Sequence, residues 1–299
     1  MTSISRVLVF GSTNVDLVMR VAALPVSGET VLADEYLAVP GGKGANQALA
    51  ACRAGATTCF ISAVGNDDHA RLALTELERS GVDLSGLAQS KRNTGCAVVL
   101  VDDAGRNQIG VASGANLDVH AGQVSNEQLQ SSSVLVLQQE VPALENLQLV
   151  RRAQQLKIQV LYNLAPALNV PDELLAGCDW LVVNQVEVSF LAGGSHVDDV
   201  EKIARKLSDR HRLNVVETLG DKGLIAIVNG DWLKQAAPLV RVRDTTGAGD
   251  TFVGYLAAGI AEFMPIELAL GRAVEAASIA CSRMGAQQSI PLVDDVVTG

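Results

Sequence analysis

Short apolar runs alternate with segments of helical periodicity along the second half of the chain. The segments 145–156 and 200–207 place apolar residues at the three- and four-residue intervals typical of one helical face. The apolar runs between them indicate strands that are buried on both sides, and strands alternating with helices indicate βαβ units and a parallel sheet. These runs lie at 134–137, 158–162, 180–183 and 215–218.

Two other segments, 12–40 and 92–112, follow a different pattern. They alternate apolar and polar residues, contain turn signals such as Asp-Asp-Ala-Gly at 102–105, and show little helical periodicity. We expect them to form a small antiparallel sheet that projects from the main body as a lid. The predicted fold class is α/β: one domain over 1–299, with three α/β/α layers, a mainly parallel central sheet and this small β-sheet lid.

The composition limits the binding partners and the cellular compartment that we expect for this protein. The chain has 299 residues, of which 48% are hydrophobic, a net charge of −10 and a sequence pI of about 4.9. An acidic surface repels nucleic acid and anionic membranes, so we expect neither as a partner. The sequence shows no signal-peptide pattern, no apolar run of membrane-spanning length, and five scattered cysteines. These features predict a cytoplasmic protein from a reducing compartment.

A glycine-containing turn at 244–251 leads directly into an apolar helix at 252–258. Glycines allow backbone amides to approach a ligand, and the first amides of a helix attract an anion such as phosphate. Asp250 lies in this turn, where a carboxylate can accept the proton of an attacking hydroxyl. The alternative for Asp250 is an ordinary helix N-cap.

Polar residues also follow the first predicted strand and open the next predicted helix. Asn14 and Asp16 lie two residues apart, so in an extended chain both point to one side and can bind neighbouring hydroxyls of a sugar. Lys43 lies in the first turn of a helix of small residues, and Asn46 shares its face. A cation there opposes the helix dipole, which suggests a polar or negative ligand nearby. An Asx turn at Asn14 and a plain surface lysine remain alternatives.

Two later strands end in turns that suit a nucleotide. Asn184 and Glu187 follow the strand at 180–183, and oxygen ligands at the carboxyl end of a parallel strand can meet Mg²⁺ and phosphates. A helix cap made by the same two residues is the alternative. The glycine turn at 218–223 either lines the nucleotide or only connects two strands. The sequence contains neither a P-loop nor a GxGxxG motif, so an NAD-dependent oxidoreductase is not favoured.

The order and separation of these motifs resemble the PfkB family of carbohydrate kinases, in its ribokinase branch. The two family signatures correspond to 41–47 (GGKGANQ) and 244–250 (DTTGAGD). The resemblance implies a ribokinase-like fold and an ATP-dependent phosphotransferase that acts on the primary hydroxyl of a small sugar. It also implies Mg²⁺, K⁺ as a monovalent activator, and a homodimer formed through the β lid.

The resemblance implies functional roles for individual residues. Asp250 corresponds to the catalytic base, and the amides of Gly247, Ala248 and Gly249 to the anion hole. Sugar binding is implied, together with Asp250, for Asn14, Asp16, Gly42, Lys43, Asn46 and Glu140. Nucleotide and phosphate contacts are implied for Asn184, Glu187, Thr218, Gly220 and Gly223, with Glu187 meeting Mg²⁺ through water. A monovalent cation site is implied for Asp244, the carbonyl of Thr246, and Ser289.

The polar residues that resemble sugar contacts favour D-ribose, phosphorylated at its 5-hydroxyl, over a deoxysugar or a nucleoside. The alternatives are a PfkB kinase for another small sugar, sugar acid or nucleoside, and a non-catalytic sugar-binding protein of the same fold. Two departures from the family pattern concern nucleotide packing. Leu164 replaces a proline in the segment 163–166, and Val274-Glu275 occupy the region where the family often has an asparagine near the adenine.

Overall fold

The computed structural model describes residues 6–191, 193 and 200–296 and confirms the α/β class. The described strands form a nine-stranded central sheet and a smaller four-stranded sheet. The strands are β1 (Arg6–Phe10), β2 (Asn14–Val21), β3 (Tyr36–Gly41), β4 (Thr57–Val64), β5 (Asp83–Gln89), β6 (Gly95–Asp102), β7 (Asn107–Ala112), β8 (Val134–Leu137), β9 (Gln159–Asn163), β10 (Trp180–Asn184), β11 (Asn214–Thr218), β12 (Leu224–Val228) and β13 (Asp231–Gln235).

Helices connect most of the strands of the central sheet. Short 3₁₀ turns at Gly114–Asp118, Ala121–Gln123, Gly220–Lys222 and Val293–Asp295 complete the connections in the described residues. The helices are α1 (Lys43–Arg53), α2 (Asp68–Ser80), α3 (Asn126–Gln130), α4 (Ala143–Leu156), α5 (Asp172–Ala176), α6 (Gln185–Leu191), α7 (Val200–His211), α8 (Ala248–Ala261) and α9 (Ile266–Cys281).

The central sheet is mainly parallel, as its apolar strands predict. The strand order is β13-β12-β11-β10-β9-β8-β1-β4-β5, and every neighbouring pair from β11 to β5 is parallel. Strand β8 is buried at all of its positions, because helices cover both faces of the sheet. Only β12 and β13 add antiparallel pairs, at one edge of the described sheet.

Two apolar clusters fill the spaces above and below the sheet, which confirms the three-layer arrangement. One cluster joins the sheet to α1, α2, α8 and α9, and the other joins it to α4, α5, α6 and α7. Among the described residues, no helix combines the length and the apolar character needed to cross a bilayer.

Helices α1 and α8 pack closely because Gly254 has no side chain. A Cβ atom at Gly254 would lie 2.4 Å from the Ala50 Cβ and 2.6 Å from the Gln47 carbonyl oxygen. Both distances are shorter than a van der Waals contact, so a larger residue would push the helices apart. The first turns of α1 and α8 are thereby brought together at the carboxyl edge of the sheet.

The smaller sheet contains strands from both segments that the sequence assigns to a lid. Its order is β3-β2-β6-β7; the outer pairs are antiparallel, whereas the central pair β2 and β6 is parallel. The sheet is therefore mixed rather than wholly antiparallel. Strand β7 is exposed along its whole length. Asn14 and Asp16 lie on β2, so the sheet carries two of the predicted sugar contacts.

Candidate active site

The site lies where strands β9, β10 and β11 end and helices α1 and α8 begin. It contains a cavity of about 230 Å³. This position is expected, because ligands of open parallel sheets bind outside the carboxyl ends of the strands. The cavity is lined by Lys43, Asn163, Ala165, Val182, Val183, Asn184, Glu187, Thr218, Thr245, Gly247, Gly249 and Asp250.

Asp250 is the third residue of α8 and is only 8% exposed. The N-cap of α8 is Gly247, so the alternative interpretation of Asp250 as an N-cap is wrong. Its carboxylate instead accepts hydrogen bonds from Asn46 Nδ2 (2.9 Å) and Gln47 Nε2 (3.0 Å). These two donors fix the orientation of the buried carboxylate.

The backbone at the start of α8 presents amides to the cavity. Gly247 has a φ of 75°, a left-handed conformation that favours glycine, and a Cβ there would lie 3.0 Å from Ala286 Cα. The Ala248 N–H donates to the Thr245 carbonyl at 3.3 Å. For the N–H groups of Gly247 and Gly249, the described part of the chain provides no acceptor. Gly247 and Gly249 line the cavity, whereas Ala248 does not.

Asn14 and Asp16 lie on the same side of β2, as their spacing predicts. Asn14 is 3% exposed, and its Oδ1 accepts a hydrogen bond from the buried Asn116 amide at 2.8 Å. This contact joins β2 to the 3₁₀ turn at Gly114–Asp118 and is not an Asx turn. Burial, with repulsion from Glu140 and Asp250, raises the pKa of Asp16 to about 6, although Lys43 opposes the change. Asp16 is therefore close enough to these charged groups to share one site with them.

The start of α1 holds three more of the predicted sugar contacts. Gly42 is the N-cap of α1, and the Lys43 N–H donates to Glu140 Oε2 at 2.9 Å. Ser12 Oγ donates to the same Glu140 oxygen at 2.5 Å. Burial acts to lower the pKa of Lys43, but surrounding carboxylates hold it above its ordinary value; they belong to Asp250, Glu140, Glu187 and Asp16. Lys43 is thus a cation inside an acidic site.

Asn184 and Glu187 form the helix cap that we considered as an alternative. The Asn184 N–H and Nδ2 donate to the Glu187 carboxylate at 2.8 and 3.1 Å, and the Glu187 N–H donates back to Asn184 Oδ1 at 3.0 Å. Burial raises the pKa of Glu187, while its hydrogen bond from Asn184 and the charge of Lys43 oppose the change. The same two side chains line the cavity.

Thr218, Gly220 and Gly223 lie at the end of β11 and in the turn after it. Thr218 lines the small cavity. Gly223 has a φ of 89°, and a Cβ there would lie 2.0 Å from the Gln235 carbonyl oxygen, so the turn packs against the end of β13. A larger cavity of about 680 Å³ begins at this point. It is lined by 235–238 and by α9 residues that include Gly271, Val274 and Glu275.

The predicted monovalent cation site lies on the other side of the glycine turn. Asp244 Oδ1 accepts from the Thr246 N–H and hydroxyl at 2.9 and 2.6 Å, and Asp244 Oδ2 accepts from the Gly285 N–H at 2.9 Å. Burial acts to raise the pKa of Asp244, but these hydrogen bonds hold it below the usual range. Ser289 is fully buried and donates to the Ala286 carbonyl at 2.7 Å. The segment 285–289 therefore lies against the turn.

Sequence reasoning did not assign roles to Ser12, Gln47 or Asn163, which the structure brings into the site. Gln47 directly follows Asn46 in the first signature, and Asn163 ends β9. A polar residue at the end of a buried parallel strand was the available signal for Asn163. The Leu164 departure also has a local consequence: its N–H donates to the Val182 carbonyl at 3.1 Å, which proline cannot do.

The chain is similar to known carbohydrate kinases in both sequence and structure. Residues 4–292 match the model of the pfkB family carbohydrate kinase. A ribokinase of Lactococcus lactis is 34% identical over 98% of this chain and 96% of its own length. A deoxyribokinase of Salmonella typhi is 31% identical, with 96% of each chain covered. The structure of Arabidopsis thaliana ribokinase complexed with ribose and ATP has a TM-score of 0.87, 31% identity and 96% coverage of each chain. The resemblance deduced from the motifs is confirmed: this chain belongs to the pfkB family of carbohydrate kinases.

Proposed function

We propose that this enzyme transfers the γ-phosphoryl group of ATP to the 5-hydroxyl of D-ribose and releases ribose 5-phosphate and ADP. The main support is the Asp250 carboxylate, which is buried, held by two amide donors, and placed in a cavity whose wall contains the free N–H groups at the start of α8. Relatives of nearly the same length are ribokinases, and the Arabidopsis thaliana ribokinase binds ribose and ATP.

In this reaction Asp250 removes the proton of the 5-hydroxyl while the hydroxyl oxygen attacks the γ-phosphorus. The bond between that phosphorus and the bridging oxygen of ADP breaks on the opposite side. Positioning and charge stabilisation supply most of the rate enhancement in such a transfer. We assign sugar positioning to Asn14, Asp16, Gly42, Lys43, Asn46 and Glu140, which lie on β2, on the start of α1 and after β8.

We assign the stabilisation of the negative charge on the transferring phosphoryl group to the backbone amides of Gly247, Ala248 and Gly249 and to the Lys43 side chain. Ala248 contributes least in the present arrangement, because its N–H already donates to Thr245. A helix N-terminus stabilises such an anion through its free N–H groups and its dipole. The lid, by closing, would exclude water that competes for the phosphoryl group.

Two metal ions are proposed as cofactors. Glu187 suits Mg²⁺ held through water, because its carboxylate faces the cavity but two of its hydrogen-bonding positions are already used by Asn184. The described residues provide no cluster of three acidic or other metal-binding side chains, which agrees with an ion held mainly by phosphate and water. Mg²⁺ neutralises phosphate charge when bound. Asp244, the Thr246 carbonyl and Ser289 offer oxygen atoms of the kind that bind K⁺.

We place the ATP phosphates in the small cavity and the adenine in the larger one. Thr218 borders the first cavity, and the turn through Gly220 and Gly223 packs against the residues that begin the second. Val274 and Glu275 would then contact the adenine in place of the asparagine common in the family. The half-buried Glu275 offers an acceptor, which suits the amino group of adenine better than the carbonyl of guanine.

The assembly and cellular setting are also proposals. We propose that the chain acts in the cytoplasm as one kinase domain over 1–299, with 12–40 and 92–112 as its lid. We propose a homodimer formed through the lid, because Leu37, Ile109 and Val111 are 53–59% exposed on the face that also carries Asp16. Exposed apolar residues on a sheet face commonly mark an interface. Nucleic acid and membranes are not proposed as partners.

The function is tested by ATP consumption with Mg²⁺, with and without K⁺, across D-ribose, 2-deoxyribose, fructose, gluconate-type acids and nucleosides. We expect the highest kcat/KM with ribose and product phosphorylated at the 5-position. A preference for 2-deoxyribose is the second candidate, since a deoxyribokinase is 31% identical to this chain. Binding of ribose without ATP consumption would instead support a non-catalytic sugar-binding protein.

A further inference from the structure

Two consecutive residues of α1 hold the Asp250 carboxylate. Asn46 Nδ2 donates to Oδ2 at 2.9 Å, and Gln47 Nε2 donates to Oδ1 at 3.0 Å. We infer that Gln47 is a positioning residue of the phosphoryl transfer, which fixes one oxygen of Asp250 so that the other faces the sugar hydroxyl. This inference rests on the proposed function, because it requires Asp250 to be the base.

Gln47 is not among the described residues that line the cavity of about 230 Å³. Its side chain is fully buried, and its amide group has two N–H bonds that are both used. One points to Asp250 Oδ1 and the other to Asn163 Oδ1, each at 3.0 Å. Gln47 therefore acts on the reaction only through Asp250.

Asn163 connects this contact to the central sheet. Its Nδ2 donates to the Val182 carbonyl of β10 at 3.2 Å, and Asn163 is itself the last residue of β9. The orientation of Asp250 is thereby linked through Gln47 to two adjacent strands. A group held from a sheet moves less than one held by a loop, and small displacements at a reacting centre reduce the rate strongly.

The two oxygens of Asp250 have different surroundings as a result. Oδ1 faces the buried Gln47, and Oδ2 faces Asn46, one of the proposed sugar contacts. A hydroxyl bound beside Asn46 would meet Oδ2. Gln47 thus decides which oxygen of the carboxylate accepts the proton.

The buried Gln47 side chain is not arranged for stability alone. Its Oε1 atom has no hydrogen-bond partner among the described residues, and a buried unsatisfied acceptor destabilises a fold. Replacement by methionine, which has a similar length and no amide, removes that unsatisfied oxygen but leaves Asn163 Oδ1 and Asp250 Oδ1 without the Gln47 donor. The replacement should therefore lower the thermal midpoint as well as the rate, and kcat measured on folded protein separates the two effects.

The test is a pH profile of the full-length Gln47→Met variant with ribose and Mg-ATP. We expect kcat to fall on the order of 10- to 100-fold while KM for ribose stays within about threefold. We also expect the acidic limb of the kcat profile to move to higher pH, because the Asp250 carboxylate loses one of its two hydrogen-bond donors. The rates are measured below the thermal midpoint of the variant, which should lie below that of the wild type.

The control is Thr58→Val, which removes a buried hydrogen bond to the Ala56 carbonyl. Thr58 lies at the start of β4, whereas the site lies at the carboxyl ends of the strands. It should keep the wild-type kcat and pH profile. If Gln47→Met also keeps the wild-type kcat and pH profile, or changes only KM for ribose, the inference is wrong.

A second variant serves if Gln47→Met does not fold. Gln47→Glu places another carboxyl group against Asp250, so the acidic limb should move further to high pH, since the two groups share a proton. An unchanged limb in Gln47→Glu would overturn the inference. If the wild-type protein phosphorylates none of the tested acceptors, the proposed function itself is wrong. That result concerns the wild type alone, so it is distinct from a failure of the inference about Gln47.

Discussion

Asn46 Nδ2 lies 2.9 Å from Asp250 Oδ2, although 204 positions separate the two residues in the chain. Each belongs to the first turn of a helix, and each lies within one of the two family signatures. The contact joins the proposed sugar-binding helix α1 to the helix α8 that carries the proposed base. Close packing of α1 on α8 at Gly254 makes this contact possible.

The first prediction concerns the pH dependence of sugar binding. Burial, with repulsion from Glu140 and Asp250, raises the pKa of Asp16 to about 6. An ionised Asp16 accepts hydrogen bonds from sugar hydroxyls, so KM for ribose should rise as the pH falls below about 6. Asp16→Asn should raise KM by about 10- to 100-fold at pH 7.5 and remove most of this pH dependence. Initial rates between pH 5 and 8 measure both effects.

The same carboxylate should reduce the stability of the enzyme at neutral pH. Its pKa is about 6 in the folded chain and 3.8 as the ordinary value, so the folded state binds the proton more tightly. The free energy of unfolding contributed by Asp16 therefore decreases as the pH rises from about 4 to 6. Asp16→Asn should melt above the wild type at pH 7.5 but not at pH 4. The exposed Asp103→Asn serves as the control, and equal melting of Asp16→Asn and wild type at pH 7.5 would contradict the argument.

Much of the fold was predictable because short segments of the sequence show which residues are buried. The apolar run Val134–Leu137 is β8, fully buried in the centre of the sheet. The spacing of Asn14 and Asp16 predicts one shared side of a strand, and both lie on β2. Local patterns of this kind depend on few residues and on the period of the strand or helix.

The contacts around Asp250 were not predictable from the sequence, because they depend on how three separate elements meet. Gln47 and Asn163 are polar residues near motifs, yet nothing local shows that one donates to the other or to Asp250. The parallel pairing of β2 with β6 was missed for the same reason, since it joins strands about 80 residues apart. Glu187 shows a third reason why the site was not fully predictable. It takes part in a helix cap and also lines the cavity, so its spacing from Asn184 cannot distinguish the two roles.

The monovalent cation site gives the next prediction. Hydrogen bonds from Thr246 and Gly285, opposed by burial, hold the pKa of Asp244 below its usual range, so its charge should be constant from pH 6 upward. Asp244→Asn removes the negative charge and one of the two side-chain oxygens offered to K⁺, and it should raise the half-activating K⁺ concentration by about tenfold or more. Rates measured across K⁺ concentrations at constant ionic strength provide the test. The exposed Asp231→Asn should retain the wild-type K⁺ curve, and a wild-type curve for Asp244→Asn would remove this residue from the site.

The position of the adenine is tested at Gly271 of α9. A Cβ there would meet its nearest neighbour, the Gln235 side chain, at 3.9 Å, so a larger side chain extends into the cavity of about 680 Å³. Gly271→Leu should raise KM for ATP by about tenfold or more and leave KM for ribose unchanged. Gly271→Ala is the matched control, because it fills little of the cavity and should keep the ATP affinity. An unchanged KM for ATP in Gly271→Leu would place the adenine elsewhere.

The proposed dimer is tested on neighbouring residues of β7. Ile109 lies on the lid face that carries Asp16, and Gln108 points to the other face; both are exposed. A charge at the centre of an apolar interface opposes association. Light scattering should give about twice the chain mass of 31.3 kDa for wild type and Gln108→Lys, and the monomer mass for Ile109→Lys. A monomeric wild type would rule out this assembly.

The central claim is that Asp250 is the base of a sugar kinase, and Asp250→Asn tests it most directly. Asparagine has nearly the same shape but cannot take a proton from the 5-hydroxyl. Ribose-dependent ADP formation and calorimetric ribose binding should be measured on the same preparation. We predict that kcat falls by about 10²- to 10⁴-fold while ribose still binds within about tenfold of the wild-type affinity. Turnover near the wild-type rate in Asp250→Asn would contradict the account.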